Sequence, residues 1–544
     1  MRPSGPAVGR LAVAALVGVL MGTSMVGAGA APSPTTSAAG PADWPVYHHD
    51  VRGTGVDGSG ARFAPARPAW TSPALDGAIF GEPLSLGATV YVATENDTVY
   101  ALRAADGGVA WSTHLGTPVP DSSLPCGDIE PAVGITGTPV LDPGRDELFA
   151  VADVDAAGSP SHVLVGLSLA TGAVELRQPV DPEGTDTAAL LQRTGLTLEG
   201  GQVVFGLGGN YSDCSSYHGW VEAVPESGGT PRTFAIDGGA GQREGAVWMG
   251  GAAPVVDPSG DIWVAVGNGS EDSARSSYDD SDSVLELSPA LALVQFFAPS
   301  DWASDNANDR DLGSSVPALL PNGLVVQAGK SRTAYLLRAS HLGGIGGQIG
   351  ERSDICGDDV SGGAAVVGTI VYLPCLTGLV AVRATAAPPA LQTLWQTPSG
   401  SGGPPIVAGG LVWTIDQSGT LFALDPADGT VVQQFALGAE ANHFPTPSVG
   451  DGLVLAPSAD QIHAFAGPGV PGASPTSTTT SPPTGATGAR ASGGATATPA
   501  TRAPTRPGSG GGAGWVVPTL VLALVVVVAG AALFGRARRR RSAR

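Results

Sequence analysis

The chain repeats itself. Residues 81–111 read GEPLSLGATVYVATENDTVYALRAADGGVAW, and residues 402–435 read GGPPIVAGGLVWTIDQSGTLFALDPADGTVVQQF. Both run through the same parts: small residues with proline, a short strand, glycine, an alternating strand, a polar turn, another alternating strand, Asp-Gly and a last strand. Asp106-Gly107 and Asp428-Gly429 are tight-turn signals between β-rich runs. Weaker copies begin near Gly137, Gly195, Gly250, Gly313, Gly362 and Pro445. Eight four-stranded units at a β-only period of this size predict an all-β, eight-bladed β-propeller over residues 67–466. A β-helix has far shorter repeats. The eighth unit stops at Phe465 without a fourth strand, and RPAWTSPA (67–74) can supply it and close the ring. Composition agrees, because 80 glycines, 46 prolines and only 14% charged residues favour short strands and tight turns over long helices.

The two ends place the propeller. Arg2 and Arg10, the apolar run 11–30 and Ala28-Gly29-Ala30 read as a secretory signal peptide over 1–30, followed by a lead-in over 31–66. Near the other end, WVVPTLVLALVVVVAGAALFG (515–535) is 21 residues without a charge. That is enough for a transmembrane helix across a ~30 Å hydrocarbon core. Arg536 and Arg538 to Arg541 follow it, which puts the tail 536–544 in the cytoplasm and the propeller outside the cell. Between them, 467–514 is rich in Pro, Thr, Ser and Gly and lacks acidic residues, the composition of a disordered stalk. All 48 acidic residues lie between Asp43 and Asp460, against 16 basic ones, a net −32 that disfavours nucleic acid as a partner.

Four cysteines, Cys126, Cys214, Cys356 and Cys375, fall in this exported body, and an even number there predicts two disulfides. Cys356 precedes the first strand of unit six and Cys375 ends its second strand, so antiparallel pairing brings them together; Cys126–Cys214 is then the long-range pair. No CxxC, CxxCH, GxSxG, P-loop or HExxH occurs. Loops entering the first strand of a blade and loops joining its second and third strands emerge on one face. That face gathers Asn210, Asp213, Trp248, Asn268, Asp301, Asp305, Asp309, Asp311, Lys330, Asn442, His443 and all four cysteines. Lys330 is the only lysine in the chain. His218 and His443 have no nucleophile motif nearby and read as loop hydrogen-bonders.

YALRAADGGVAW and LFALDPADGTVV resemble the Ala-x-Asp-x-x-(Thr/Asp)-Gly-x-x-x-Trp repeat of pyrroloquinoline quinone (PQQ)-type propellers. That family contains quinoprotein alcohol dehydrogenases and non-enzymatic BamB-like lipoproteins. The resemblance covers about 75–466. In the dehydrogenases it implies PQQ and calcium as cofactors. AVWMGG, VAVGNG, SDWASDNANDRD and VVQAGK stand here in the family order. The resemblance then makes Trp248 the floor under the quinone, Asn268 a calcium ligand, Asp309 or Asp311 the base and Lys330 the quinone partner. This chain departs from the pattern in three ways. Cys126 is followed by Gly127 rather than a second cysteine, the expected glutamate ligand is replaced by Asn210 and Asp213, and no haem motif is present. The expectation is therefore a cell-surface propeller that binds a protein or small-molecule ligand on its loop face. The alternative is a PQQ- and calcium-dependent dehydrogenase acting on an alcohol or sugar.

Overall fold

The computed structural model describes residues 42–468 except 237, 239, 240, 274 and 399–401. The segments expected to be signal peptide, transmembrane helix and basic tail, and nearly all of the expected stalk, lie outside the described residues; among the described residues no helix is long and apolar enough to cross a membrane. Eight antiparallel sheets follow one another along the chain at 84–114, 140–179, 190–235, 255–298, 318–352, 365–396, 406–436 and 448–466, here blades 1 to 8. Strands A to D of each blade pair in order. Strand D of blade 8 is Arg67–Thr71, which pairs antiparallel with Gln461–Ala466 and joins the start of the propeller to its end. The predicted eight blades and closing strand are therefore both present. Blade 4 gains a short parallel fifth strand, Gly344–Ile345, lent by blade 5.

The burial pattern gives the radial order. Strands A and B are almost wholly buried, whereas strands D such as Val109–His114 and Val431–Ala436 alternate between exposed and half-buried. That alternation is what a pleated outer edge with one covered face produces.

The repeat motif has a structural reason at three seams. Trp70 on strand D of blade 8 lies over Gly107 of blade 1, and its indole N–H donates to the Ala104 carbonyl at 2.7 Å. Trp111 of blade 1 does the same over Gly172, bonding the Leu169 carbonyl at 3.0 Å, and Trp395 of blade 6 over Gly429, bonding Pro426 at 2.9 Å. A Cβ on Gly107 would stand 2.4 Å from the Trp70 ring, and its φ of +70° is itself a glycine conformation. The motif glycine thus makes both the turn and the seat for the neighbouring indole.

The lead-in carries an unexpected role. Trp44 pairs with Ser85, Pro45 accepts from Leu141, Val51 from Val256, Thr54 from Val366 and Gly55 from Val407, the donors lying on strands A of blades 1, 2, 4, 6 and 7. A segment that touches the inner strands of five blades must lie on the axis. Its bonds reach the ends of those strands away from the loop face, so it plugs the channel from the opposite side. Tyr47 and His48 stack at 4.4 Å inside it, and the Tyr47 hydroxyl accepts from the Gly363 N–H at 3.1 Å.

Candidate functional site

Three loops converge at Lys330, and missing Cβ atoms let them. Lys330 follows strand B of blade 5, Leu324–Ala328, and its backbone N–H donates to the Asp311 carbonyl at 2.9 Å. A Cβ on Gly329 would sit 2.2 Å from that carbonyl oxygen, and one on Gly267 2.6 Å from Asp311 Oδ1. The Asn268 N–H donates to Asp311 Oδ1 at 2.7 Å, and its Nδ2 to Asp309 Oδ1 at 3.0 Å. Lys330 Nζ then lies 2.8 Å from Asp309 Oδ1, 2.6 Å from Asp311 Oδ2 and 5.5 Å from the centre of the Trp248 ring. The five residues Trp248, Asn268, Asp309, Asp311 and Lys330 are therefore neighbours. Between Asp301 and Asp311 the chain forms a short helix, Trp302–Ala307, that the Asp-rich sequence does not announce.

The electrostatics follow from this packing. Burial alone would lower the Lys330 pKa, but the Asp311 charge and the bonds to Asp309 and Asp311 outweigh it and hold the ammonium above the usual lysine value. Asp282, fully buried behind Asp311, is pushed well above the carboxylate range by burial and then by the Asp311 charge. Its Oδ1 accepts from the Leu312 N–H at 2.8 Å, while Oδ2 has no partner. Asn268 Oδ1 is likewise buried without a partner. Burial also raises Asp213 and Asp359, whose charges act on the same group.

Toward the axis, the Trp248 indole meets Phe444 with ring centres 5.9 Å apart. The buried Arg193 guanidinium lies 5.7 Å from the Phe80 ring centre and 5.8 Å from that of Phe444, and donates to the His443 carbonyl at 3.0 Å. Arg193, Phe80 and Phe444 thus cap the channel on the loop face, as Tyr47 and His48 fill it from below. Nothing in the sequence pattern singles out these three residues.

The remaining predicted residues divide. Cys126–Cys214 and Cys356–Cys375 are both bonded, with Cα separations of 6.1 and 5.7 Å. Asn210 Nδ2 turns away to the Ala188 carbonyl at 2.8 Å, and Asp213 accepts from the Tyr217 hydroxyl at 2.6 Å. Asp213 also interacts through its charge with Asp311, Asp309 and Lys330. Asn442 Nδ2 donates to the carbonyls of Ile79 and Ala459, and His443 Nδ1 lies 3.4 Å from Asp128, a loop role for both.

A second set of ionisable groups went unnoticed in the sequence. Asp97, Asp153, His162, Asp181 and Glu222 are interred among blades 1 to 3. His162 Nδ1 lies 2.7 Å from Asp181 Oδ1, and Nε2 3.7 Å from Asp153. Burial first, and Asp153 next, push Asp97 up to about 9, and burial pushes Glu222 to about 8. For His162 burial works downward, but Asp153 and Asp181 carry it up to about 9.

The family model of outer membrane protein assembly factor BamB matches residues 63–214 and 351–466. Among solved structures, quinohemoprotein alcohol dehydrogenase from Comamonas testosteroni superposes with a TM-score of 0.58 at 16% identity, covering 78% of this chain and 80% of that one. A europium-containing methanol dehydrogenase gives 0.59 at 14%, covering 78% and 98%. BamB from Moraxella catarrhalis gives 0.51 at 13%, covering 74% and 99%. No curated protein sequence matches the chain. These likenesses define a class, the eight-bladed propellers shared by dehydrogenases and assembly scaffolds. Within it, this chain carries the β-propeller repeat of the PQQ type over the residues that the family model matches.

The residues present do not fit PQQ. The quinone is a flat ring system bearing three carboxylates, and here the Trp248 indole already contacts Phe444 and the Lys330 ammonium. That ammonium is bound to two carboxylates, with Asp213 and Asp359 also acting on it. With its ammonium already held by two carboxylates, Lys330 is poorly placed to receive a tricarboxylate. Two concavities stand out among the described residues. One lies beside Tyr47 and His48 and the other beside the Cys126–Cys214 disulfide, and neither has room for a water molecule. None of the five site residues lines either.

Proposed function

We propose that this chain is an exported, membrane-anchored PQQ-type propeller that works as a binding or scaffold module, presenting its loop face to a protein or small-molecule ligand outside the cell. The observation that carries this reading is the closed ion-pair cluster of Lys330 with Asp309 and Asp311 under Trp248. Lys330, Asp309 and Asp311, which the resemblance makes quinone partner and base, are paired with one another. Export and anchoring rest on residues 1–30 and 515–535, and the −32 balance of the body argues against nucleic acid as the ligand. Two disulfides suit an oxidising compartment.

The second reading, a PQQ- and calcium-dependent dehydrogenase, is favoured by one fact, the convergence of Trp248, Asn268, Asp309, Asp311 and Lys330 in one place. A dye-linked oxidation assay on the full chain, incubated with PQQ and calcium and offered primary alcohols and aldoses, separates the two. The binding reading predicts no turnover above protein-free PQQ. Saturable, PQQ-dependent turnover abolished by Asp311→Asn would replace it with the enzyme. Protease treatment of intact cells tests display: the propeller should be shed into the medium while a tag on the 536–544 tail stays protected.

A further inference from the structure

We propose that Asp153, His162 and Glu222 form a binding site for a divalent transition-metal ion of the zinc kind, buried between blades 2 and 3, with Asp181 orienting the imidazole from behind.

The fold puts the three side chains on facing surfaces. Asp153 and His162 are register partners on strands B and C of blade 2, Glu147–Asp155 and Pro160–Ser168. Alternate residues of those strands divide between two cores. Ala152, Val163 and Val165 join the one shared with blade 1, whereas Val151 and Leu164 pack with Phe205 and Leu207 of blade 3. Asp153 and His162 follow the second set and so face blade 3. Glu222 lies on strand C of blade 3, Trp220–Pro225, where Val221 and Ala223 turn to blade 4 and Val224 turns to blade 2. By the same alternation Glu222 faces blade 2. Asp153, His162 and Glu222 are 3%, 0% and 0% exposed.

Three observations carry the proposal. The first is the setting of the imidazole. Its Nδ1 lies 2.7 Å from Asp181 Oδ1. Burial works against Asp181, but that bond holds it below the usual carboxylate value, so the carboxylate is charged and Nδ1 carries the hydrogen. A carboxylate behind one ring nitrogen is what orients metal-bound histidines through the other. Here the other, Nε2, is buried, has no hydrogen-bond partner among the described residues, and lies 3.7 Å from Asp153 Oδ2. That is too long for a hydrogen bond, and near the ~3.3 Å between two ligands that share a tetrahedral ion at about 2.0–2.2 Å.

The second observation is the supply of acceptors. Both oxygens of Asp153 and both of Glu222 are buried without a partner among the described residues. A finished interior rarely leaves such atoms open, and here four of them accompany an open nitrogen. The third is charge. Among the described residues, His162 is the one group of opposite sign that acts on either carboxylate. A divalent ion balances both. One imidazole nitrogen with two carboxylates is a donor set for zinc and its first-row neighbours, whereas calcium and magnesium take oxygen ligands.

Among the described residues only Asp257, Asp261 and Glu286 already hold three ligand atoms within 4.8 Å of one another. An ion between blades 2 and 3 therefore draws Glu222 inward, and with neither Glu222 oxygen bonded, no hydrogen bond is lost in the movement. Protein made without the ion holds protons in its place, burial pushing Glu222 up to about 8 and Asp153 up to about 6. It is in that form that these groups titrate, and metal binding releases their protons. The bound ion ties strand C of blade 3 to strands B and C of blade 2.

Elemental analysis of the full-length protein, made with zinc in the medium and purified in detergent with a chelator, tests this. Wild type should keep one zinc ion per chain that Glu222→Gln lacks. That variant copies the protonated carboxyl of the ion-free protein, so it should fold; His162→Gln is the second. Protein made with cobalt(II) reports the donor set. A four-coordinate site with a nitrogen ligand gives a strong visible absorption, which an all-oxygen ion at Asp257, Asp261 and Glu286 does not. The absorption should be present in wild type and lost in both variants. Folded wild type that keeps no zinc overturns the proposal by itself. So does zinc or absorption that persists at the wild-type level in folded Glu222→Gln or His162→Gln, since the ion would then lie elsewhere.

Discussion

Trp70→Ala tests whether the ring is closed by a strand from the beginning of the chain. Trp70 is 9% exposed, rests on Gly107 of blade 1, and gives its indole N–H to the Ala104 carbonyl at 2.7 Å. Truncating a buried Trp to Ala costs about 3–5 kcal/mol, the lost hydrogen bond included. Unfolding entropy of about 2.1 cal/mol/K per residue over roughly 400 residues is about 0.8 kcal/mol/K, so the midpoint should fall by about 4–6 °C. Trp395→Ala is the control, because it removes the same contacts over Gly429 at a seam between blades that the chain already joins. Both variants should lose similar stability by calorimetry. Only Trp70→Ala should speed amide exchange along 67–71 and 461–466, because Arg67–Thr71 is held to blade 8 by pairing and packing alone. A shift under 1 °C, or equal exchange in the two variants, would refute the closure argument.

Two further outcomes follow from buried charge. An N-hydroxysuccinimide acetate pulse on the native protein should label the α-amine and leave Lys330 unmodified, with full labelling in denaturant; peptide mass spectrometry reads the ratio, and equal labelling in both states would contradict the ion-paired ammonium. The midpoint should also fall as pH rises from about 6.5 to 9. His162 with its raised pKa is stabilising below its unfolded value near 6.5 and loses that as pH passes about 9. Asp97 and Glu222 are raised too, so the folded state holds their protons more tightly than the unfolded chain does, and that advantage is lost from their ordinary values of 3.8 and 4.5 up to about 9 and about 8. Asp97→Asn tolerates the φ of +52° and stays neutral, so it should flatten the slope and gain a few degrees at pH 8; an unchanged slope would show that Asp97 does not titrate there.

Blade number, blade starts, the closing strand and both disulfides were legible in the sequence because each rests on a local signal. Asp-Gly turns mark hairpins, period-two runs mark strands, and strand ends fix which cysteines meet. The grouping of Trp248, Asn268, Asp309, Asp311 and Lys330 was legible because all five sit at equivalent loop positions of adjoining blades. What they do once together was not, since pairing of Lys330 with two aspartates depends on the close approach at Gly267 and Gly329. The axial plug was hidden for a related reason: residues 42–57 have no periodicity, and their partners are backbone groups on five separate blades. Asp97 sits in a polar Asn-Asp-Thr turn that reads as surface. Only the neighbouring blade buries it.

Direct titration of PQQ into the full-length protein with excess calcium, followed by thermal denaturation, bears most closely on the claim that this site is shut by its own charges. A ligand at 100 times its dissociation constant stabilises the folded state by about 2.7 kcal/mol, which for a domain of this size is a shift of about 3 °C. The self-satisfied cluster predicts no shift at any PQQ concentration, in wild type or with calcium alone. A saturable rise that disappears in Trp248→Ala and Lys330→Ala would contradict it and put the quinone on the indole.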